Sequence, residues 1–169
     1  METNTNITLI GMPSAGKSTL GVVLAKRLGY HFVDTDLLIQ EGAGMLLSEI
    51  IAQRGLEGFK AYENEILGGL QCERHVIATG GSAVYGQKAM ANLASMGRVV
   101  FIDITLEEMS RRLGPDLAAR GVVINEGMTL ADLYEERHAL YERYADLVID
   151  TSGLSTREAV EALSELLQA

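Results

Sequence analysis

The stretch from Gly11 to Ser18 constrains the fold of this chain more than any other. It reads Gly-Met-Pro-Ser-Ala-Gly-Lys-Ser and matches G-x-x-x-x-G-K-[ST], a loop whose backbone N–H groups wrap the phosphates of a nucleotide. An apolar run over Ile7–Ile10 predicts a buried strand before the loop, and a helical pattern over Thr19–Leu28 follows it. Strand, glycine-rich loop and helix form the context that this pattern requires, so a chance match is the less favoured interpretation.

Each residue type in the loop has a chemical reason. Gly11 and Gly16 allow backbone angles that a side chain would forbid, and they leave room for phosphate oxygens. We expect Lys17 to reach the outer phosphates as a point charge and the Ser18 hydroxyl to bind Mg²⁺. The start of the following helix adds N–H groups and a positive dipole end. The predicted nucleotide-binding residues of the loop are Gly11, Pro13, Ser14, Ala15, Gly16, Lys17, Ser18 and Thr19.

Length and composition limit the class of protein. A chain of 169 residues, 47% hydrophobic and 22% charged, predicts one domain spanning residues 1–169. No apolar run approaches the ~20 residues that span a bilayer, and the polar N-terminus does not fit a signal peptide. A single cysteine, Cys72, excludes an internal disulfide, and the net charge of −9 disfavours nucleic acid as a partner. We therefore expect a cytoplasmic protein without membrane or nucleic-acid partners.

Two acids end the second predicted strand, Tyr30–Asp36. Because side chains alternate along a strand, Asp34 and Asp36 should point the same way, at the end where open parallel sheets bind ligands. A carboxylate is what Mg²⁺ needs beside a phosphate loop, which favours a functional interpretation. The structural alternative is that Asp36 caps a helix starting at Leu37.

Regular elements continue along the rest of the chain. The further predicted strands are Val76–Thr79, Arg98–Asp103 and Leu147–Asp150, and the further helices are Leu37–Gln53, Phe59–Leu70, Gln87–Met96, one capped by Thr105, Met128–Tyr144 and Ser155–Leu167. Five buried strands linked by helices predict a three-layer α/β fold with a parallel sheet. Gly80 and Gly81 follow the third strand, where they either let a ligand approach the backbone or form a plain turn.

The segment from Gly114 to Gly127 has no clear period and two helix breakers at its start. Long connections of this kind in a compact domain are often active-site lids. Arg120 is its only cation, so a closing lid would deliver this group. A mobile surface loop is the alternative interpretation.

Taken together, these stretches resemble the shikimate kinase family over nearly the whole chain. The resemblance rests on Gly11–Ser18, Asp34-Thr35-Asp36, Phe59-Lys60, Gly80-Gly81, Arg120, Arg137 with Leu140-Tyr141, and Ala145-Asp146 ahead of Val148–Thr151. It implies a five-stranded parallel sheet in the order 2-3-1-4-5, substrate-binding helices at about 37–71 and a lid at about 114–127. It also implies an ATP- and Mg²⁺-dependent kinase that phosphorylates the 3-hydroxyl of shikimate in aromatic amino acid biosynthesis, and we expect a monomer.

The resemblance also assigns roles on the phosphoryl-donor side. Asp34 would hold Mg²⁺ through water, together with the Ser18 hydroxyl. Arg112 and Arg120 would lie near the nucleotide. Lys17 and Arg120 would be catalytic, because both would neutralise charge on the transferring phosphoryl group.

On the acceptor side, the resemblance makes Asp36 the residue that binds substrate hydroxyls and serves as the base. Gly80 and Gly81 would contact the substrate through their backbone, and Arg137 would bind its carboxylate. Lys60 stands where the family has a second arginine, so a bidentate fork becomes a point charge. Glu63, three residues from Lys60, either positions Lys60 or forms an ordinary solvated pair with it.

Two further positions depart from the family pattern. Ser82 replaces a third glycine and adds a hydroxyl to the substrate floor, and the usual Arg-Pro-Leu of the lid is Arg120-Gly121-Val122. Altered acceptor residues would suit another hydroxy-carboxylate such as homoserine, which is the second hypothesis. A non-catalytic nucleotide-binding module is the third, although it predicts damage to the catalytic residues that the chain does not show.

Overall fold

The computed structural model describes residues 5–115, 122 and 124–169. Five strands and seven α-helices lie within these ranges. The strands are β1 (Asn6–Ile10), β2 (His31–Asp34), β3 (His75–Ala78), β4 (Gly97–Asp103) and β5 (Leu147–Asp150). The helices are α1 (Lys17–Leu28), α2 (Thr35–Ala43), α3 (Leu47–Gly68), α4 (Gln87–Met96), α5 (Leu106–Leu113), α6 (Leu130–Tyr144) and α7 (Thr156–Gln168).

The strands form one parallel sheet in the order β2-β3-β1-β4-β5, as the resemblance implied. The central strand β1 is buried along its whole length, as expected for a parallel strand covered by helices on both faces. The core includes Leu9, Ile77 and Phe101, each with no exposed surface. This topology places the loops after β1, β2 and β3 along one edge of the sheet, where α/β proteins bind ligands.

Side-chain caps begin several helices where the sequence suggested. Thr105 accepts a hydrogen bond from the backbone N–H of Glu108 at the start of α5, and Ser155 caps α7 in the same way. The first helix instead begins after Gly16, whose φ of 87° is one that glycine adopts without strain. It ends at Gly29, also left-handed.

The helices of the acceptor side differ from the prediction in detail. The predicted helix Leu37–Gln53 is divided at Gly44 between α2 and the start of α3. The second predicted helix is the later part of α3, after a kink at Gly55, whose φ of 73° and ψ of 174° are not helical. A short 3₁₀ turn at Ala83–Tyr85, which the sequence pattern did not indicate, follows the glycines after β3. Within the described ranges, no helix combines the length and apolar character needed to cross a membrane.

Candidate active site

A cleft of about 420 Å³ opens at the carboxyl ends of the central strands. It brings together most of the residues predicted for the site. Its lining includes Pro13, Ser14, Gly16, Lys17, Ser18, Thr19, Asp36, Gly80, Gly81, Ser82 and Arg137. These donor and acceptor residues therefore face one continuous space, whereas Gly11, Ala15, Asp34 and Lys60 are not among its lining residues.

The loop after β1 has the backbone of a phosphate cradle. A Cβ on Gly11 would lie 2.5 Å from the carbonyl oxygen of Ile102, so only glycine fits against β4 at this position. Ser14 has a φ of 66°, which is uncommon for a residue with a side chain. Its buried hydroxyl also has no hydrogen-bond partner among the described residues. A strained loop with an orphaned donor, at the start of a helix, suits an anion such as phosphate.

Lys17 begins α1 and is only 7% exposed. Its ammonium donates to the carbonyl oxygens of Gly11 and Met12, both at 2.7 Å, so the side chain folds back over its own loop. Burial lowers the pKa of Lys17 to about 8, an effect that the nearby Asp36 and Asp34 carboxylates oppose. The lysine is thus held in a site where its positive charge is poorly hydrated and available to phosphate.

The Ser18 hydroxyl donates to a carboxylate oxygen of Asp34 at 2.6 Å. The other oxygen of Asp34 accepts from the backbone N–H of Asp36 at 2.9 Å and caps α2. A hydroxyl and a carboxylate beside a phosphate loop are hard oxygen donors of the kind that Mg²⁺ takes alongside phosphates and water. These two side chains therefore fit the predicted magnesium ion.

Asp36 corrects one expectation. The sequence pattern predicts this residue at the end of a strand, but β2 stops at Asp34 and Asp36 lies in the first turn of α2. The alternative that Asp36 is the cap is also wrong, because Asp34 holds that position. Asp36 reaches the cleft from the helix, and burial raises its pKa to about 6, with Asp34 raising it further and Lys17 opposing.

Because Gly80 and Gly81 have no side chains, Asp36 and Arg137 can lie against the backbone of the loop after β3. A Cβ on Gly80 would lie 2.8 Å from Asp36 Oδ1, and one on Gly81 would lie 2.9 Å from an Arg137 nitrogen. The backbone here is thus directly beside the carboxylate and the guanidinium. This geometry favours the functional interpretation of the two glycines over a plain turn.

Arg137 is 1% exposed and projects from α6 into the cleft. Its Nε lies 3.3 Å from the Tyr85 hydroxyl, and its guanidinium carbon lies 5.3 Å from the centre of the Tyr85 ring. The Lys60 ammonium lies 4.3 Å from the same ring centre and 3.4 Å from Glu57. Tyr85 therefore gathers two cations, an arrangement that suits a carboxylate ligand.

The suggested link between Glu63 and Lys60 has a different form in the structure. Glu63 is 2% exposed rather than solvated, and one of its oxygens accepts from the Ser82 hydroxyl at 2.6 Å. Burial raises the pKa of Glu63 to about 7, with the Ser82 hydrogen bond as the main opposing influence. Lys60 pairs with Glu57 instead. The hydroxyl that Ser82 adds at this position is therefore buried and hydrogen-bonded to Glu63.

A second cavity of about 180 Å³ adjoins the phosphate loop. Ala15, Arg112, Thr151 and Leu154 line it, and the guanidinium of Arg112 donates to the carbonyl oxygen of Ser14 at 3.1 Å. Arg112 therefore lies beside the phosphate loop. Arg120 falls outside the described residues, as do half of the residues of the predicted lid (116–121 and 123), although Val122 lines the main cleft.

Two residues of the site were not predicted as functional. Tyr85 follows the double glycine by a few positions in an unrecognised 3₁₀ turn. Tyr141 is 1% exposed, and its hydroxyl donates to the Gly81 carbonyl oxygen at 2.6 Å. Its spacing of four from Arg137 places both on one face of α6, and this was the available signal.

Comparison with known proteins gives a consistent result. A family model described as shikimate kinase matches residues 13–168. The chain is 36% identical over 162 residues to the shikimate kinase of Thermobifida fusca, covering 95% of this chain and 94% of that protein. It is 34% identical over 165 residues to that of Francisella tularensis subsp. novicida, covering 96% and 94%.

Solved structures agree with the sequence matches. The shikimate kinase from Acinetobacter baumannii, in complex with shikimate, superimposes with a TM-score of 0.84 at 28% identity, covering 97% of this chain and 93% of that one. A thymidylate kinase from Candida albicans, at 16% identity and a TM-score of 0.53, shares the fold. The family model and the two relatives each span most of the chain. The chain therefore belongs to the shikimate kinase family.

Proposed function

We propose that this protein transfers the terminal phosphoryl group of ATP to the 3-hydroxyl of shikimate. The observation that carries the proposal is the single cleft, which joins a phosphate loop at one end to Asp36 and Arg137 at the other. Relatives named shikimate kinase and the shikimate-bound Acinetobacter structure support the choice of acceptor. An acceptor held between a carboxylate and a guanidinium needs both a hydroxyl and a carboxylate, and shikimate has both.

On the donor side, the loop from Gly11 to Thr19 binds the phosphates. Ser14, Ala15 and Gly16 contribute backbone N–H groups, and Pro13, which has no N–H, lines the cleft beside them. Lys17 lies among these groups and neutralises charge on the outer phosphates. The Ser18 hydroxyl and the Asp34 carboxylate would hold Mg²⁺, which would neutralise charge on the phosphate oxygens. The short contact between these two side chains supports their pairing at one ion.

At the acceptor side, Asp36 accepts the hydrogen of the reacting hydroxyl and orients its oxygen toward the terminal phosphorus. The new O–P bond forms as the bond to ADP breaks, and the hydroxyl proton passes to the carboxylate. Burial keeps the pKa of Asp36 at about 6, which makes it a stronger base than an exposed aspartate while leaving it mostly ionised at pH 7. The backbone of Gly80 and Gly81 and the Ser82 side chain form the floor beneath the acceptor.

The carboxylate of the acceptor binds at the cationic end, between Arg137 and Lys60. Their common position around the Tyr85 ring supports this assignment. Because the guanidinium is planar and buried, Arg137 provides the directional contacts, and Lys60 adds a point charge.

The remaining assignments concern the nucleotide. Arg112 lies beside the phosphates, and the cavity at Thr151 and Leu154 takes the base. Arg120, in the lid segment of about 114–127, stabilises the transferring phosphoryl group by analogy with the family. We further infer that the protein works as a cytoplasmic monomer, without nucleic-acid or membrane partners, in aromatic amino acid biosynthesis.

The test is a coupled assay of ADP release with purified protein, ATP and Mg²⁺. Shikimate, homoserine and gluconate are offered separately, and the Asp36→Asn variant serves as the background control. We expect release only with shikimate, lost in Asp36→Asn. Turnover of homoserine without turnover of shikimate would refute the proposal, and so would ATP binding with no turnover of any acceptor.

A further inference from the structure

Behind the acceptor end of the cleft lies a buried carboxyl that the proposed chemistry does not use. Glu63 projects from α3, and one oxygen, Oε1, accepts the hydrogen of the Ser82 hydroxyl at 2.6 Å. The other oxygen, Oε2, is buried and has no hydrogen-bond partner among the described residues. Leaving a buried carboxylate oxygen unpaired is costly, so its retention calls for an explanation.

The Glu63 carboxyl lies close to the proposed base, Asp36. A Cβ on Gly80 would lie 3.3 Å from Glu63 Oε2 and 2.8 Å from Asp36 Oδ1, so both oxygens face the same small volume. Ser82 lies between Glu63 and the cleft, because it lines the cleft while its hydroxyl hydrogen bonds backward to Glu63. Glu63 itself does not line the cleft and must act through its neighbours.

The charged groups of the acceptor end gather around two residues. Lys60 and Arg137 gather around Tyr85, whereas Asp36 and Glu63 gather around Gly80. Ser82 is the hydrogen-bond donor to Glu63, and Lys60 lies over the aromatic ring with Glu57 as its ion pair. The acceptor side thus has two cations beside Tyr85 for a carboxylate and a floor around Gly80 that is rich in hydrogen-bond acceptors.

Resting on the proposed function, we propose that Ser82 determines acceptor specificity and that Glu63 is its positioning residue. Because Glu63 takes the hydroxyl hydrogen, Ser82 presents only oxygen lone pairs to the cleft and accepts a hydrogen bond from a second, non-reacting hydroxyl of the acceptor. The site therefore selects carboxylates that carry at least two hydroxyls, one for Asp36 and one for Ser82. Acceptors with a single hydroxyl leave the oxygen of Ser82 unpaired.

Protonation of Glu63 should weaken this selection. Its pKa is raised to about 7 by burial, and Asp36 on α2 raises it further. Ser82, Arg137 on α6 and Lys60 on the same helix as Glu63 lower it. Below that pH, protonated Glu63 donates to Ser82 and turns the serine hydrogen toward the cleft, so the KM for shikimate should rise as the pH falls through 7. Glu63→Gln cannot titrate, and its KM should lack this step.

The main test compares Ser82→Ala with Ser164→Ala. Ser164 is a matched control, because it is also a buried serine whose hydroxyl donates one hydrogen bond, to Val160 in α7. We expect Ser82→Ala to raise the KM for shikimate about 10-fold, the value of roughly one hydrogen bond, with the KM for ATP unchanged. Ser164→Ala should change neither KM. Thermal melting of each variant, together with the pH dependence of the KM in Glu63→Gln, separates a change in acceptor binding from a loss of folding.

Monodeoxy analogues of shikimate provide the specificity readout. In the wild type, removing the hydroxyl that contacts Ser82 should lower kcat/KM, and in Ser82→Ala the same removal should cost nothing further. A KM for shikimate in Ser82→Ala equal to or below that of the wild type would overturn this inference but leave the proposed function intact. A wild type that does not turn over shikimate would overturn the proposed function, and this inference with it.

Discussion

At the scale of single residues, burial determines how the charged groups of the cleft behave. The pKa of Lys17 is lowered to about 8 and that of Asp36 is raised to about 6, in both cases chiefly by burial. Each residue opposes the shift of the other, so the pair remains charged near neutral pH. A phosphoryl group placed between them meets a cation on one side and a base on the other.

Replacing Lys17 with Met keeps the length of the side chain and removes its charge. We expect kcat to fall about 10²–10³-fold, because no other group in the loop carries a positive charge toward the phosphates. Steady-state kinetics at saturating ATP measure the change, with Lys26→Met on the exposed end of α1 as the control. Retention of more than a tenth of the wild-type kcat would contradict the role of Lys17.

Arg137→Lys preserves the charge but removes the planar fork. Because Arg137 is buried against Tyr85, we expect the KM for shikimate to rise about 10-fold or more with a smaller change in kcat. Arg143→Lys, at the exposed end of the same helix, is the control and should behave as wild type. An unchanged KM in Arg137→Lys would mean that the acceptor carboxylate binds elsewhere.

At the scale of elements, α6 organises the acceptor floor. It supplies Arg137 to the cleft and, one turn later, the Tyr141 hydroxyl that donates to Gly81. The aromatic ring of Tyr141 packs against Phe101 of β4, with 5.1 Å between ring centres. Contacts with the sheet therefore fix the position of the loop that follows β3.

Tyr141→Phe tests this arrangement. It leaves the Gly81 carbonyl oxygen without its donor, so we expect the free energy of unfolding to fall by about 1–3 kcal/mol and the KM for shikimate to rise. Tyr134→Phe is a matched control, because the Tyr134 hydroxyl donates to the Ile104 carbonyl oxygen at 2.8 Å from the same helix. Urea denaturation should show a loss in both variants, and only Tyr141→Phe should change the KM. Equal KM values would contradict a role for Tyr141 in the acceptor floor.

The elements were predictable where one local pattern decides them. The β1–loop–α1 unit follows from a run of apolar residues and a motif with required spacing. Thr105 and Ser155 are residue types that favour helix N-caps, and they indicated where α5 and α7 begin. The position of Asp36 was not predictable, because the chain leaves the strand at Asp34 and capping fits either aspartate. Glu63 also resembled a solvated residue, since its partner Ser82 lies 19 positions away and only tertiary packing brings them together.

At the scale of the whole molecule, the parallel sheet brings distant segments to one edge. Alternation of strands and helices predicted a parallel three-layer fold, but the strand order came from family resemblance, since local patterns do not specify which strands are neighbours. Having β1 at the centre places its loop between the segments after β3 and β4. The fold thus forms the cleft, while tertiary contacts of buried polar groups determine its chemistry.

The raised pKa of Glu63 should make the stability of the protein depend on pH. Its folded pKa of about 7 lies above the ordinary 4.5, so protonated Glu63 stabilises the folded state fully below pH 4.5. This contribution is lost as the pH rises through 7. Relative to Glu63→Gln, we expect the unfolding free energy of the wild type to fall by up to about 3 kcal/mol over that range. If the unfolding free energies of the two proteins, measured by urea denaturation, changed equally with pH, the pKa of Glu63 would not be raised in the folded state.

Identification of the product tests the central claim most directly. The purified protein is incubated with ATP, Mg²⁺ and shikimate, and the product is analysed by mass spectrometry and phosphorus NMR, with Asp36→Asn in parallel. The account predicts shikimate phosphorylated at the 3-hydroxyl, formed only with Mg²⁺ and by the wild type. Unmodified shikimate together with phosphorylated homoserine in the competing reaction would contradict it.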